Sequence, residues 1–185
     1  MHEVVLSPQQ AELEGQQLFT QQRYQEAVDR FSLAERAYAE AGDKLKAAEM
    51  LNNIGVVYRR AGQHKEAARA LEDARQTFAD LDEQQRKAQV LGNLGGLYSK
   101  MKRYDQSEVC FREAVALFQE LDDRGSHAEA LRAMAIMQFK RGQRSKALTT
   151  YEDALYFLPK PNPLQRFVRF LLKLRSLILR WSPLK

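Results

Sequence analysis

The chain has 185 residues, 44% of them apolar and 29% charged, with a formal net charge of +5. That length and balance suit one soluble globular domain able to bury a core, and exclude a disordered, collagen-like or membrane-embedded chain. Its single cysteine, Cys110, rules out an internal disulfide framework and any multi-cysteine zinc site, while only nine glycines, five prolines and few β-branched runs point to an all-helical fold.

Residues 1–6, Met-His-Glu-Val-Val-Leu, carry neither a basic start nor an apolar run of secretory length, so the expected compartment is the cytoplasm. Ser7-Pro8-Gln9-Gln10 then offers an N-cap serine, a first-turn proline and a glutamine for a capping box. From there the chain repeats with a period of 40 residues. Gly15, Gly55 and Gly95 recur at that spacing, with Ala135 in the fourth place; Ala34, Ala74, Ala114 and Ala154 recur without exception. Ala27, Ala67, Ser107 and Ala147 form a second row of small residues, and Phe31, Leu71, Phe111 and Tyr151 a row of large ones between the two.

Each period holds two amphipathic stretches, the first at 8–20, 48–60, 88–100 and 127–140, the second at 24–40, 64–80, 104–120 and 144–157. Gly62 and Gly142 suit left-handed C-terminal caps, but Gln22 and Lys102 stand at the equivalent places, so that cap is not uniform in sequence. Gly42-Asp43, Leu81-Asp82-Glu83 and Asp122-Asp123-Arg124-Gly125 supply turn residues between repeats. The pattern predicts a stack of helical hairpins: small residues let backbones approach, and the large row fills the gap between neighbouring hairpins.

Leu-Gly-Asn-Leu-Gly-Gly-Leu-Tyr at 91–98, followed by Tyr104, Ser107, Phe111 and Ala114, resembles the tetratricopeptide repeat, as does Leu-Asn-Asn-Ile-Gly-Val-Val-Tyr at 51–58 followed by Ala67, Leu71 and Ala74. The period is closer to the longer-repeat branch of Pins-type adaptors than to the usual form of about 34 residues. The resemblance covers residues 8–158 and implies a right-handed α-solenoid of four helix-turn-helix repeats, its concave groove lined by the first helix of each pair and used to bind peptides or proteins. The domain organisation expected is a solenoid over 1–158 (repeats at about 8–43, 48–83, 88–123 and 127–158), a proline-rich break at 159–163, and a basic amphipathic helix at 164–185. The first repeat departs most, with Ala11, Glu14 and Leu18 at three anchor places. Some family members grip a C-terminal carboxylate with a clamp of lysines, asparagines and an arginine; Glu12 and Gln16, or Asn52 and Val56, stand here where its first lysine and asparagine belong, against chaperone-tail recognition.

No constellation for catalysis, metal or cofactor emerges. His2, His64 and His127 are scattered and read as surface or capping residues, Cys110 reads as a small buried hydrophobe, and nucleophile-elbow, phosphate-loop and metal motifs are missing. The groove offers more. With Leu51, Ile54, Gly55 and Tyr58 packing inward, the opposite stripe is Glu49, Asn52 or Asn53, Val56 and Arg60; its counterparts are Gln89, Asn93, Gly96 and Lys100, then Glu129, Arg132, Ile136 and Lys140. Asn53 and Asn93, one period apart, suit bidentate bonding to an extended peptide backbone, and Arg60, Lys100 and Lys140 form a basic rail that favours a ligand with acidic groups.

The charge asymmetry lies at the C-terminus: residues 159–185 hold seven basic and no acidic side chains, leaving 22 basic against 24 acidic in the rest. On a helix over 164–181, Gln165, Arg166, Arg169, Lys173, Ser176 and Arg180 gather within ~100° of arc, opposite eleven apolar residues. Its charges, at up to ~3 kcal/mol each, outweigh those apolar residues at ~0.5 each, so it does not span a bilayer. A cap on the last hairpin would use one apolar stripe only. The excess leaves open self-association as a homodimer, or peripheral contact with an anionic membrane, through Arg166, Phe167, Arg169, Phe170, Leu171, Lys173, Leu174, Arg180 and Trp181. Trp181, Phe167 and Phe170 lie apart from the arginines, which argues against nucleic acid.

Overall fold

The structure is a computed structural model that describes residues 6–158, together with 163, 166–168 and 170, which are helical. Of the residues expected in the C-terminal segment's contact surface, Arg169, Leu171, Lys173, Leu174, Arg180 and Trp181 lie outside the described residues. Eight helices follow in chain order: α1 (Pro8–Thr20), α2 (Tyr24–Glu40), α3 (Lys44–Ala61), α4 (His64–Asp80), α5 (Gln84–Lys100), α6 (Tyr104–Glu120), α7 (Arg124–Lys140) and α8 (Arg144–Phe157). Each packs on its neighbours in sequence, and α5 also touches both α3 and α7. No contact of comparable extent joins α4 to α2 or α6, so the odd-numbered helices line the inner side of a solenoid and the even-numbered ones its outside.

The start of α1 follows the capping box: Ser7 Oγ accepts from Gln10 N at 3.2 Å while Ser7 N donates to Gln10 Oε1 at 3.0 Å. Helices α3, α5 and α7 begin at Lys44, Gln84 and Arg124, three or four residues ahead of the expected starts. Acidic residues at the N-cap positions account for two of these early starts. Asp43 Oδ1 accepts from Lys46 N, and Asp123 Oδ1 from Ser126 N, each at 3.0 Å.

The joints between helices are uniform where their sequences are not. Gln22, Gly42, Gly62, Asp82, Lys102, Asp122 and Gly142, twenty residues apart, all take left-handed backbone angles with φ between 51° and 87°. After each of them the next residue's N–H reaches back to a carbonyl five residues earlier, as in Arg23 N to Leu18 O (2.9 Å) and Arg103 N to Tyr98 O (2.9 Å). This is the Schellman arrangement, and the residue that closes one helix is also the N-cap of the next.

The conserved phase of small and large residues is realised inside each hairpin. A Cβ added at Gly15 would lie 2.9 Å from the Phe31 ring, one at Gly55 2.5 Å from Leu71 Cγ, and one at Gly95 2.8 Å from Phe111 Cδ1. The large row therefore fills the space against its own hairpin's glycine, and Phe31 and Leu71 also belong to the clusters that join their hairpins to the next. Between hairpins, the core joins Ala74 and Phe78 of α4 to Ala88 and Leu91 of α5, and a second cluster joins Ala34 and Tyr38 of α2 to Ala47 and Ile54 of α3. Both alanine rows are buried in every repeat, and Ser107, standing in one of them, donates its hydroxyl to Gly95 O at 2.7 Å. In the first repeat, where Glu14 replaces an apolar anchor, its carboxylate meets Arg30 at 3.0 Å.

Candidate functional site

The inner face carries two clefts that meet at Asn53. One, of about 200 Å³, lies between α3 and α5 and is lined by Glu12, Glu49, Asn52, Asn53, Arg86 and Gln89. The other, of about 190 Å³, lies between α1 and α3 and is more apolar, with Phe19, Phe31, Val56 and Val57 in its walls beside Gln16 and Asn53. Asn52, Asn53 and Asn93 are all half-buried. Asn93 Nδ2 donates to Asn52 Oδ1 at 3.0 Å, so the asparagine pair that forms is 52 with 93, across the step between repeats. Asn93 Oδ1 and the Asn52 amide N–H groups remain without a partner among the described residues, which leaves one acceptor and donors facing the same step.

The acids and bases of the inner face divide by their position along the helices. Near the helix starts, Glu49 is bound by Lys46 at 2.8 Å and Arg86 at 2.7 Å, and Arg86 also holds Glu83 at 2.7 Å. Burial pushes the Glu49 carboxyl up, but the bonds from Lys46 and Arg86 outweigh it and hold the group below the ordinary carboxylate value. Arg132 is likewise engaged with Glu129 at 2.6 Å, beside a cleft formed with Tyr151 and Leu155. At the helix ends the balance differs: Arg60, Lys100 and Lys140 are exposed and have no carboxylate partner among the described residues, and Lys100 Nζ lies 3.4 Å from Arg59 O.

Arg59 is a residue that the repeat pattern does not single out, because its counterparts are Phe19, Ser99 and Phe139. Its guanidinium lies over Gly96 of α5, with Nη1 2.8 Å from the place a Cβ would take, and its Nε is buried without an acceptor. Burial, and then the charge of Arg60, pull its pKa below the ordinary arginine value. The missing Cβ at Gly96 is the one sequence signal that could have pointed to it.

Other candidate groups are structural. His127 is buried, not at the surface as expected: its Nδ1 lies 3.1 Å from Val115 O and its ring meets Phe157 edge-on at 4.5 Å. Burial, with Glu72 and Glu113 near, pushes the Cys110 thiol up to about 11, so it is poorly ionised at neutral pH. Among the described residues no three His, Cys, Asp or Glu side chains gather to hold a metal, and no helix is long and apolar enough to cross a membrane.

Over residues 11–80 and 86–159 the sequence matches the tetratricopeptide repeat family. The chain belongs to that family. No curated protein matches it. Among solved structures, this tetratricopeptide repeat chain is similar to BtubC (BKLC) from P. vanneervenii, with a TM-score of 0.73 and 24% identity, covering 84% of this chain and 66% of that one. It is also similar to a Rap protein complexed with Competence and Sporulation Factor (TM-score 0.70, 17% identity, 80% of this chain and 42% of that). Aspartyl phosphate phosphatase F from Bacillus subtilis gives a TM-score of 0.76 at 15% identity, over 81% of this chain and 39% of that. The chain thus spans less than two thirds of the length of each, and the likeness is one of fold.

Proposed function

We propose that this protein is a noncatalytic adaptor whose inner face binds an extended peptide or protein segment carrying acidic groups. The observation that carries the reading is the division of charge on that face: the carboxylates of Glu49 and Glu129 are neutralised within the chain, whereas Arg60, Lys100 and Lys140 at the helix ends have no carboxylate partner among the described residues. Between them, the two clefts meeting at Asn53 supply half-buried amides and apolar walls, the combination that fixes an extended backbone and its side chains. A Rap protein of the same fold is complexed with a factor, which fits this use of the solenoid. Capture of a partner from native lysate by the full chain should be abolished by Asn53→Ala with Asn93→Ala, while the melting transition is kept. Binding unchanged by the pair would move the interaction to another surface.

A second reading, peripheral contact with an anionic membrane through residues 164–181, draws on Phe167 and Phe170, which are 57% and 60% exposed beside Arg166. Flotation with anionic vesicles of the full chain, compared with one ending at Leu158, tests it. Failure of the full chain to float removes that reading, and a dimer lost on truncation assigns the segment to self-association.

A further inference from the structure

We infer that the step between α3 and α5 is an oxyanion site, in which Arg59, Arg60 and Lys100 take a carboxylate or phosphate group carried by the bound peptide. The inference rests on the reading of the inner face as a peptide groove and names the chemistry of one of its contacts. Its starting point is an arginine with no counter-charge. Arg75, Arg86, Arg132 and Arg141 each meet a carboxylate at 2.6–2.7 Å, whereas Arg59 meets none among the described residues. Instead it is pressed against Gly96 with its Nε buried and unsatisfied, next to the like charge of Arg60. A buried donor left without an acceptor is costly, and more so when it belongs to a charged group.

Lys100 approaches from the facing helix, its ammonium drawn to Arg59 O at 3.4 Å. That contact alone is explained by the negative end of the α3 dipole. Arg59 is not, since its Nε points to no carbonyl or carboxylate of the chain. The Arg59 guanidinium on α3 and the Lys100 ammonium on α5 border the same step, and together they suit an oxyanion, the fork by paired hydrogen bonds and the ammonium as a point charge. Gly96 makes this possible, because any side chain there would displace the guanidinium.

The test uses the full chain and two labelled decapeptides of alternating alanine and either glutamate or phosphoserine, followed by fluorescence anisotropy at fixed ionic strength. At least one should bind. Arg59→Gln and Lys100→Gln should each weaken it about tenfold or more, the worth of roughly one charge-assisted hydrogen bond. Arg30→Gln, outside the groove, should leave it unchanged. The stronger binder of the two identifies the source as carboxylate or phosphate. Because Arg59→Gln removes a packed side chain, the Arg59 Nε–Hε resonance of the unsubstituted chain supplies a second readout, expected to shift on adding the peptide or inorganic phosphate and not on adding sodium chloride. A resonance that stays in place, or affinities within twofold for both variants, overturns the site. Lysate capture lost in the Asn53 and Asn93 double variant but kept in Arg59→Gln would overturn the anion site and leave the groove standing; capture indifferent to both would take the groove as well.

Discussion

Helix α5 contains three glycines whose replacement by alanine should give three different results, although all lie within five residues of one another. At Gly92 an added Cβ meets nothing within 4 Å, so Gly92→Ala should gain the helix propensity of alanine, about 1 kcal/mol. At Gly95 the same methyl would stand 2.8–2.9 Å from three carbons of the Phe111 ring, and that ring is only 2% exposed. Restoring ordinary contact requires the ring or the helix to move by roughly half an ångström in a close-packed core, an overpacking cost of ~1–3 kcal/mol that cancels or exceeds the propensity gain. Gly96→Ala would meet only Arg59 Nη1, at 2.8 Å, the end of a flexible side chain, and should fall between the two. Urea unfolding followed by circular dichroism at 222 nm should therefore place Gly92→Ala above the unsubstituted chain, with Gly95→Ala ~1–3 kcal/mol below Gly92→Ala. Gly55→Ala, facing Leu71 at 2.5 Å, should behave like Gly95→Ala. If Gly95→Ala gains as much as Gly92→Ala, the close approach inside the hairpins is not what the glycine row is for.

Lys102 holds a left-handed conformation (φ 59°) that costs a side chain about 1 kcal/mol, so Lys102→Gly should raise the urea midpoint by a corresponding amount. Gln138 stands in the row of Tyr58 and Tyr98, fully buried with neither amide atom partnered among the described residues; Gln138→Met should stabilise the chain by ~1–3 kcal/mol in the same assay. Glu108, bonded to Lys146, to Arg112 at 2.6 Å and to Arg141 at 3.3 Å, is held below the ordinary carboxylate value first by the Lys146 bond. Its contribution should be complete above that ordinary value and vanish as pH falls through the depressed one, so Glu108→Gln should destabilise at pH 7 and lose its effect in acid. The Cys110 thiol, pushed from 9.0 to about 11, should contribute full stability below pH 9.0 and lose it as pH rises toward 11. Native protein at pH 8 should react with a disulfide reagent far more slowly than unfolded protein, and Cys110→Ala should lessen the alkaline decline, leaving the part due to Tyr38, Tyr98 and Lys46, whose pKa values are also raised.

The helices were legible because their small and large rows recur in phase, and periodicity is a global signal that survives local exceptions. Where a feature depends on two residues from different repeats, that signal fails. The bond between Asn93 and Asn52 joins positions 41 apart, one off the period, so aligning the repeats pairs Asn93 with Asn53 instead. Arg59 occupies a row holding phenylalanine, serine and phenylalanine elsewhere, so repetition gives it no weight, and only its relation to Gly96 marks it. The early starts of α3 and α7 were hidden for a different reason: Asp43 and Asp123 are both good turn residues and good helix caps, and composition cannot choose between these roles. The burial of His127 depends on Phe157 closing over it from α8, a contact of long sequence separation.

Identical joints every twenty residues have a bearing on how such a chain can grow. A duplicated forty-residue segment spliced in at any of them would arrive with its own ending and its own beginning, needing no new connector. Each such addition would set one more inner helix beside the last at ~10 Å, lengthening the inner face by the span of about three extended residues. The length of the inner face is thus adjustable in whole increments, and the side chains it presents can change without disturbing the joints that hold the rod together.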